Sequence, residues 1–251
     1  MAKEELIFGL HAVKAALKYE PDLVRILWLD KDRRDPRLLD IQQIAKQRGI
    51  STRDEPRATL DKMTGGARHQ GVVAACTGAP VQRSEKDIES ILASAKSPAL
   101  LLALDQVQDP HNLGACLRSA EAAGVNAVIA PRDNSASLTA TVRKVACGAA
   151  ETVPFIQVVN LSRCLESLKK QDLWIVGADM EAEKSLYDVD FKMPTVIVLG
   201  AEEKGLRRLT RETCDVLASI PMMGKVETLN VSVAAGVFLF EALRQRRGQK
   251  V

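Results

Sequence analysis

The chain of 251 residues is long enough for one large domain or two smaller ones, and its 46% hydrophobic and 27% charged content excludes a disordered polymer. Aromatic residues make up only 4%, which argues against base stacking on aromatic side chains as a main binding mode. The formal net charge of +3 is unevenly spread: residues 1–78 carry 14 Lys and Arg against 11 Asp and Glu, and the remainder is balanced at 21 against 21. That surplus reads either as solvated surface or as a weak patch facing a polyanion.

In chain order, Leu6–Ala16 has apolar residues at helical spacing and is predicted as a helix, and Leu23–Leu29 as a strand. Leu38–Arg48 is predicted as an amphipathic helix stopped by Gly49. Gly71–Ala75 closes this small α/β unit as a strand, and Thr77–Arg83 has linker composition. Ser84-Glu-Lys-Asp87 is a capping box opening a short helix with Ile88, Ile91 and Leu92 on one face, ended by Ser97-Pro98. Strands are then predicted at Leu100–Asp105, Ala127–Ala130, Phe155–Val159, Trp174–Ala178, Thr195–Leu199 and Val216–Ile220. Each is a near-continuous apolar run, as expected of strands buried on both faces of a parallel sheet. Helices begin near Asn112, Thr139, Leu161 and Leu206, and a last one runs from Asn230 to about Arg246. The fold class is therefore α/β, with a parallel sheet of about six strands covered by helices on both sides. The expected division is a first domain over 1–76, a linker over 77–84 and a second domain over 85–251.

No apolar run approaches the roughly 18 residues of a membrane span. The start, Met-Ala-Lys-Glu-Glu, lacks an apolar signal core, which predicts a cytoplasmic protein. Cysteines at 76, 116, 147, 164 and 214 form no CxxC pair and read as reduced thiols. His11, His69 and His111 are scattered, so no metal site is expected.

Three segments carry the chemistry, each at a strand–helix junction, where open α/β sheets bind ligands. In Asp109-Pro-His-Asn-Leu-Gly-Ala-Cys-Leu-Arg118, Asn112 opens a helix, Gly114 allows close approach, and Arg118 lies about 9 Å further along the axis. An amide and a guanidinium so spaced can address different atoms of one extended substrate, although an N-cap and a solvated arginine would also account for them. Leu199-Gly-Ala-Glu-Glu-Lys-Gly205 runs from a strand into a tight turn that places Glu202 at the sheet's carboxyl edge. It is not a nucleoside-triphosphate loop, because Leu206 and Arg207 follow Gly205, and no Gly-x-Gly-x-x-Gly follows any strand. Thr228-Leu-Asn230-Val opens the last helix, with Thr228 or Asn230 as its cap and free backbone N–H groups available to a polar ligand.

Together, Asn112-x-Gly-x-x-x-Arg118, Leu199-Gly-x-Glu202-x-x-Gly205 and Leu229-Asn230-Val-Ser-Val-Ala-x-Gly236 resemble the three motifs of the SpoU branch of the SPOUT RNA methyltransferases. Phe8-Gly-Leu-His-Ala-Val13 and His69-Gln-Gly-Val-Val-Ala74 look like the ribosomal-protein-like substrate-binding domain that many members carry. The runs Leu104–Ala123 and Lys144–Glu151 are most similar to the members that act on guanosine in bacterial 23S ribosomal RNA. One departure is Thr228, which replaces the serine usual before Leu-Asn while keeping the hydroxyl.

The resemblance implies a trefoil-knotted second domain and S-adenosylmethionine as cofactor, contacted at Gly200, Ile220 and Leu229. It also implies a homodimer and 2′-O-methylation of a guanosine ribose in the peptidyl-transferase region of 23S rRNA or of its assembly intermediates. Asn112, Arg118, Glu202 and Asn230 then form the catalytic set. Arg118 suits contact with a phosphate and a developing oxyanion better than proton abstraction, because a guanidinium stays protonated. Glu202 would orient Arg118 or Asn230, or accept the proton, while Asn112 and Asn230 would fix the ribose and the active-site loop. RNA selection falls to the first domain. A tRNA ribose methyltransferase of the same family, or an RNA-binding assembly protein with a dead site, stays open at this point.

Overall fold

The computed structural model describes residues 4–19, 21–77, 83–95, 97–201 and 204–247. Two compact units form, one of Met1–Gln82 with Leu138–Thr152 and one of Arg83–Ser137 with Val153–Val251. Most of the linker expected at 77–84 lies outside the described residues.

The first unit contains β1 (Glu4–Phe8), α1 (Leu10–Tyr19), β2 (Val24–Asp30), α2 (Pro36–Gln47), β3 (Ser51–Glu55), α3 (Arg57–Met63) and β4 (Val72–Thr77). Its sheet has the order β1-β4-β2-β3, antiparallel except for the β2–β3 pair. Leu17, Leu27, Ile41 and Val72 centre its core. The helix expected over Leu6–Ala16 is instead β1 followed by α1. Gly9, at φ +96°, breaks the run, and the first part pairs with β4. Strand β3 was not anticipated: all five of its residues are polar, and it exists because β2 offers it a parallel edge.

The second unit holds α4 (Ile88–Ala93), β5 (Leu100–Asp105), α5 (Pro110–Ala123) and β6 (Ala127–Pro131). Next in the chain come α6 (Ala140–Ala146) and α7 (Ala149–Thr152), which belong by contact to the first unit. The second unit resumes with β7 (Phe155–Val158), α8 (Leu161–Lys169), β8 (Trp174–Ala178), β9 (Thr195–Gly200), α9 (Arg208–Thr213), β10 (Val216–Ala218) and α10 (Val231–Arg247). The six-stranded sheet is parallel throughout, in the order β10-β8-β9-β5-β6-β7. Leu101 and Ala103 pack with Ile129, Val196 and Val198 against Leu165 and Leu168 of α8. By strand alternation Leu102 and Leu104 face the other side, where α5 and α10 pack together.

Helices α6 and α7 are joined through Cys147 and Gly148, at φ +54° and +98°. A Cβ on Gly148 would stand 2.8 Å from Ala15 Cβ, and Lys144 Nζ lies 5.6 Å from the Phe8 ring centroid. The buried Arg143–Glu151 ion pair, at 2.8 Å, ties the two helices together. The contacts to Ala15 and Phe8, with the packing of both helices on α1 and of α6 on β1, group Leu138–Thr152 with the first unit, although chain order puts it inside 85–251.

The far end of α10 is tied to the segments that lead into β5 and β9, chiefly by Arg246. Arg246 donates to the carbonyls of Phe191 (2.7 Å), Pro98 (2.6 Å), Met193 (2.8 Å) and Ala99 (3.3 Å). Gln245 adds bonds to the backbone of Val189 and Phe191. Arg246→Ala should therefore lower stability by about 2 kcal/mol, the scale of hydrogen bonds to a charged donor. Urea unfolding in a Trp28→Phe background, where Trp174 alone reports on the second unit, would show this as a lower midpoint; an unchanged midpoint would contradict the tether.

Candidate active site

Three neighbouring strands end beside one another at Ala178, Gly200 and Ala218, and the segments beyond them line a cavity of about 380 Å³. Leu199, Val231, Ala234 and Phe238 supply an apolar wall, and Gly200, Ile220 and Leu229 also line it. Asp179 and Arg211 form a charged pair at its edge. Such a volume beyond parallel strand ends, with an apolar wall on one side and several polar and charged side chains around it, suits a small ligand of nucleotide type. Ile220 lies two residues past the end of β10 rather than within a strand, because Ser219 already bonds to Lys184 O.

The turn after β9 depends on two glycines. A Cβ on Gly200 would lie 2.0 Å from the Gly205 carbonyl carbon, so only glycine fits there. Gly205, at φ +61°, donates its N–H to Ala201 O at 2.8 Å. Past the turn, the fully buried carboxylate of Asp105 accepts from Arg207 N (3.0 Å) and Arg207 Nε (2.7 Å). Asp105 also sits opposite Gly200 in the sheet register. In sequence, Asp105 reads only as the last residue of a strand, its one signal being a carboxylate that ends the run Leu-Leu-Leu-Ala-Leu. Glu202 lies outside the described residues, as does Glu203.

Asn112 and Arg118 lie on α5, whose cap is Asp109, accepting from His111 N, with Pro110 in the first turn. Asn112 is thus released from capping, and its Oδ1 accepts from Asn230 Nδ2 at 3.0 Å. Asn230 in turn caps α10: its Oδ1 accepts from Ser232 N (2.9 Å) and Ser232 Oγ (2.6 Å). Of the two cap candidates at this helix, Asn230 serves. Gly236 faces Ser119 of α5, so the two helices run side by side with their N-termini at the same end. Arg118 is exposed on α5, six residues and about 1.7 turns beyond Asn112. The structure therefore brings Asn112 and Asn230 into direct contact and gathers Gly200, Ile220 and Leu229 around one cavity. Thr228 lines that cavity as well. Burial pushes the thiols of Cys164 and Cys214 up to about 12, so neither offers a thiolate nucleophile at neutral pH.

A six-stranded parallel α/β unit with such a cavity has the layout of a cofactor-binding enzyme. The family described as SpoU rRNA Methylase matches residues 99–240, and that described as RNA 2′-O ribose methyltransferase substrate binding matches residues 6–82. The chain belongs to the SpoU rRNA methylase family. It is 54% identical over 246 residues to the 23S rRNA (guanosine-2′-O-)-methyltransferase RlmB of Pseudomonas aeruginosa, covering 98% of each chain. It is 53% identical to the protein of the same name from Shewanella oneidensis, covering 98% of this chain and 100% of that one. The fold matches the SpoU methyltransferase AviRb from Streptomyces viridochromogenes, solved in complex with the cofactor AdoMet, at a TM-score of 0.79 and 23% identity over 98% of this chain and 92% of that one.

Removing the Asp105 carboxylate would leave the Arg207 amide without its acceptor, while the half-exposed guanidinium can turn to water. Asp105→Ala should thus destabilise the second unit by about 1–3 kcal/mol and weaken ligand binding in the cavity more than Asp105→Asn, which keeps one acceptor. Calorimetric titration of both variants with S-adenosylmethionine tests the order; equal affinities would remove Asp105 from the cavity's support.

Proposed function

We propose that this protein transfers a methyl group from S-adenosylmethionine to the ribose 2′-hydroxyl of a guanosine in 23S ribosomal RNA. The observation that carries this reading is identity above one half, over nearly the whole chain, to proteins named for that reaction. The cavity fits the cofactor chemically: its apolar wall suits an adenine ring, and the turns at Gly200, Ile220 and Leu229 present backbone groups for its polar atoms. When bound, S-adenosylmethionine supplies the electrophilic methyl of a sulfonium.

The chain's own residues contribute placement and charge. Arg118 holds the phosphate next to the target ribose and stabilises the oxygen as it loses its proton. The Asn230–Asn112 bond supports this division, since it couples the helix that carries Arg118 to the helix that opens at the cavity. Asn112 and Asn230 fix the ribose and the active-site loop, and Glu202 orients this set or takes the proton. The first unit selects the RNA, a reading supported by its match to the substrate-binding family and its basic surplus.

The working form is a cytoplasmic homodimer. Val233 and Phe240, 50% and 49% exposed, lie with Val237 on one face of α10, an apolar stripe that a second copy would cover. Phe240→Glu should shift the protein to monomer in light scattering, and a wild-type protein that is monomeric at micromolar concentration would refute the dimer. Arg118→Ala should slow single-turnover methylation of 23S rRNA by about a hundredfold or more while sparing cofactor affinity. Mapping 2′-O-methyl groups on the RNA product reads both rate and position; near-wild-type turnover would sink the role of Arg118, and no methylation by the intact protein would sink the reaction.

A further inference from the structure

A second cleft, of about 550 Å³, opens within the first unit between the start of α2, α3 and the loop before β4. Its floor is rigid. His69, 3% exposed, accepts from Gly71 N at Nδ1 (3.1 Å), which puts its ring proton on Nε2, donated to Asp61 Oδ1 (3.0 Å). The ring thereby pins α3 to the loop. Gln70, at φ +54°, turns its Oε1 to accept from Leu10 N. Gly71, at φ +84°, leaves room for the Arg33 stem, since a Cβ there would stand 2.8 Å from Arg33 Cδ. The His69-Gln-Gly71 run, which the catalytic reading leaves unused, is the scaffold of this cleft.

Its rim carries four arginines. Arg33 and Arg37 share the Asp35 carboxylate and are thereby held in place. Arg57 and Arg68 are exposed and form no ion pair with any described residue. No Phe, Tyr or Trp lines the cleft, and the one imidazole there, His69, is buried in the floor. Paired guanidiniums over a polar trough are suited to phosphate oxygens.

We propose that this cleft binds the phosphodiester backbone of the RNA substrate, with Arg57 and Arg68 as the phosphate contacts. The proposal rests on the RNA methyltransferase reading above and locates where the first unit grips its substrate. It also gives a place to the charge surplus of residues 1–78.

The test is the salt dependence of binding to a 23S rRNA fragment, followed by fluorescence anisotropy, for the full chain and for the double variant Arg57→Ala/Arg68→Ala. Each phosphate contact contributes about 0.7–0.9 to the slope of log affinity against log salt, so losing two should flatten it by about 1.4–1.8. Affinity for S-adenosylmethionine and the thermal midpoint should stay at wild-type values. The control Arg25→Ala/Arg48→Ala removes the same charge from exposed positions of the same unit that do not line the cleft, and should change the slope much less. An unchanged slope in the cleft variant, or an equal loss in the control, overturns the proposal while leaving the methyltransferase reading intact. If the wild-type protein neither binds nor methylates the RNA, both fall together.

Discussion

The turn at the carboxyl end of β9, in the middle of the large sheet, is arranged around a carboxylate that water does not reach. Asp105 ends β5, which pairs with β9 on one side and β6 on the other, and it holds both the amide and the guanidinium of Arg207. A buried carboxylate is tolerated only when its lone pairs are satisfied, so the chain after β9 must return to it. That return is possible because Gly200 and Gly205 pack backbone to backbone, closer than any side chain would allow. The position of the cavity follows from that closure.

The second constraint is the parallel pairing of α5 and α10. Asp109 takes over the capping of α5, which frees Asn112 to receive a bond from Asn230. Asn230 caps its own helix with the same amide that reaches across. At the opposite end Arg246 binds four carbonyls, so α10 is fixed at both termini. A rigid pair of helix N-termini is a suitable base for groups that must hold a substrate within a fraction of an ångström. The two units solve different problems with similar devices: a glycine at positive φ and a buried polar side chain bonded to a partly exposed partner shape both the cavity of the second and the basic cleft of the first.

Much of the second unit was legible because its strands are buried on both faces, and a continuous apolar run bounded by turn residues leaves little choice of period. All six strands fall where their runs lie, with ends differing by a residue or two. The first unit was harder. Leu6–Phe8 has helix-compatible spacing, yet pairing with β4 makes it a strand, and β3 has no apolar signal at all. The short α3 buries only Leu60 fully, too little for a periodic pattern to stand out.

The order and spacing of Asn112, Arg118, Gly200, Glu202, Leu229 and Asn230 determined the family, because a linear motif records residue types at fixed separations. The amide bond between Asn112 and Asn230 spans 118 positions, and no local pattern encodes it. The same holds for Asp105 with Arg207 and for the grouping of Leu138–Thr152 with the first unit. Sequence spells out local conformation and burial, whereas pairings between distant polar groups are chosen only when packing brings them together and excludes water from one partner.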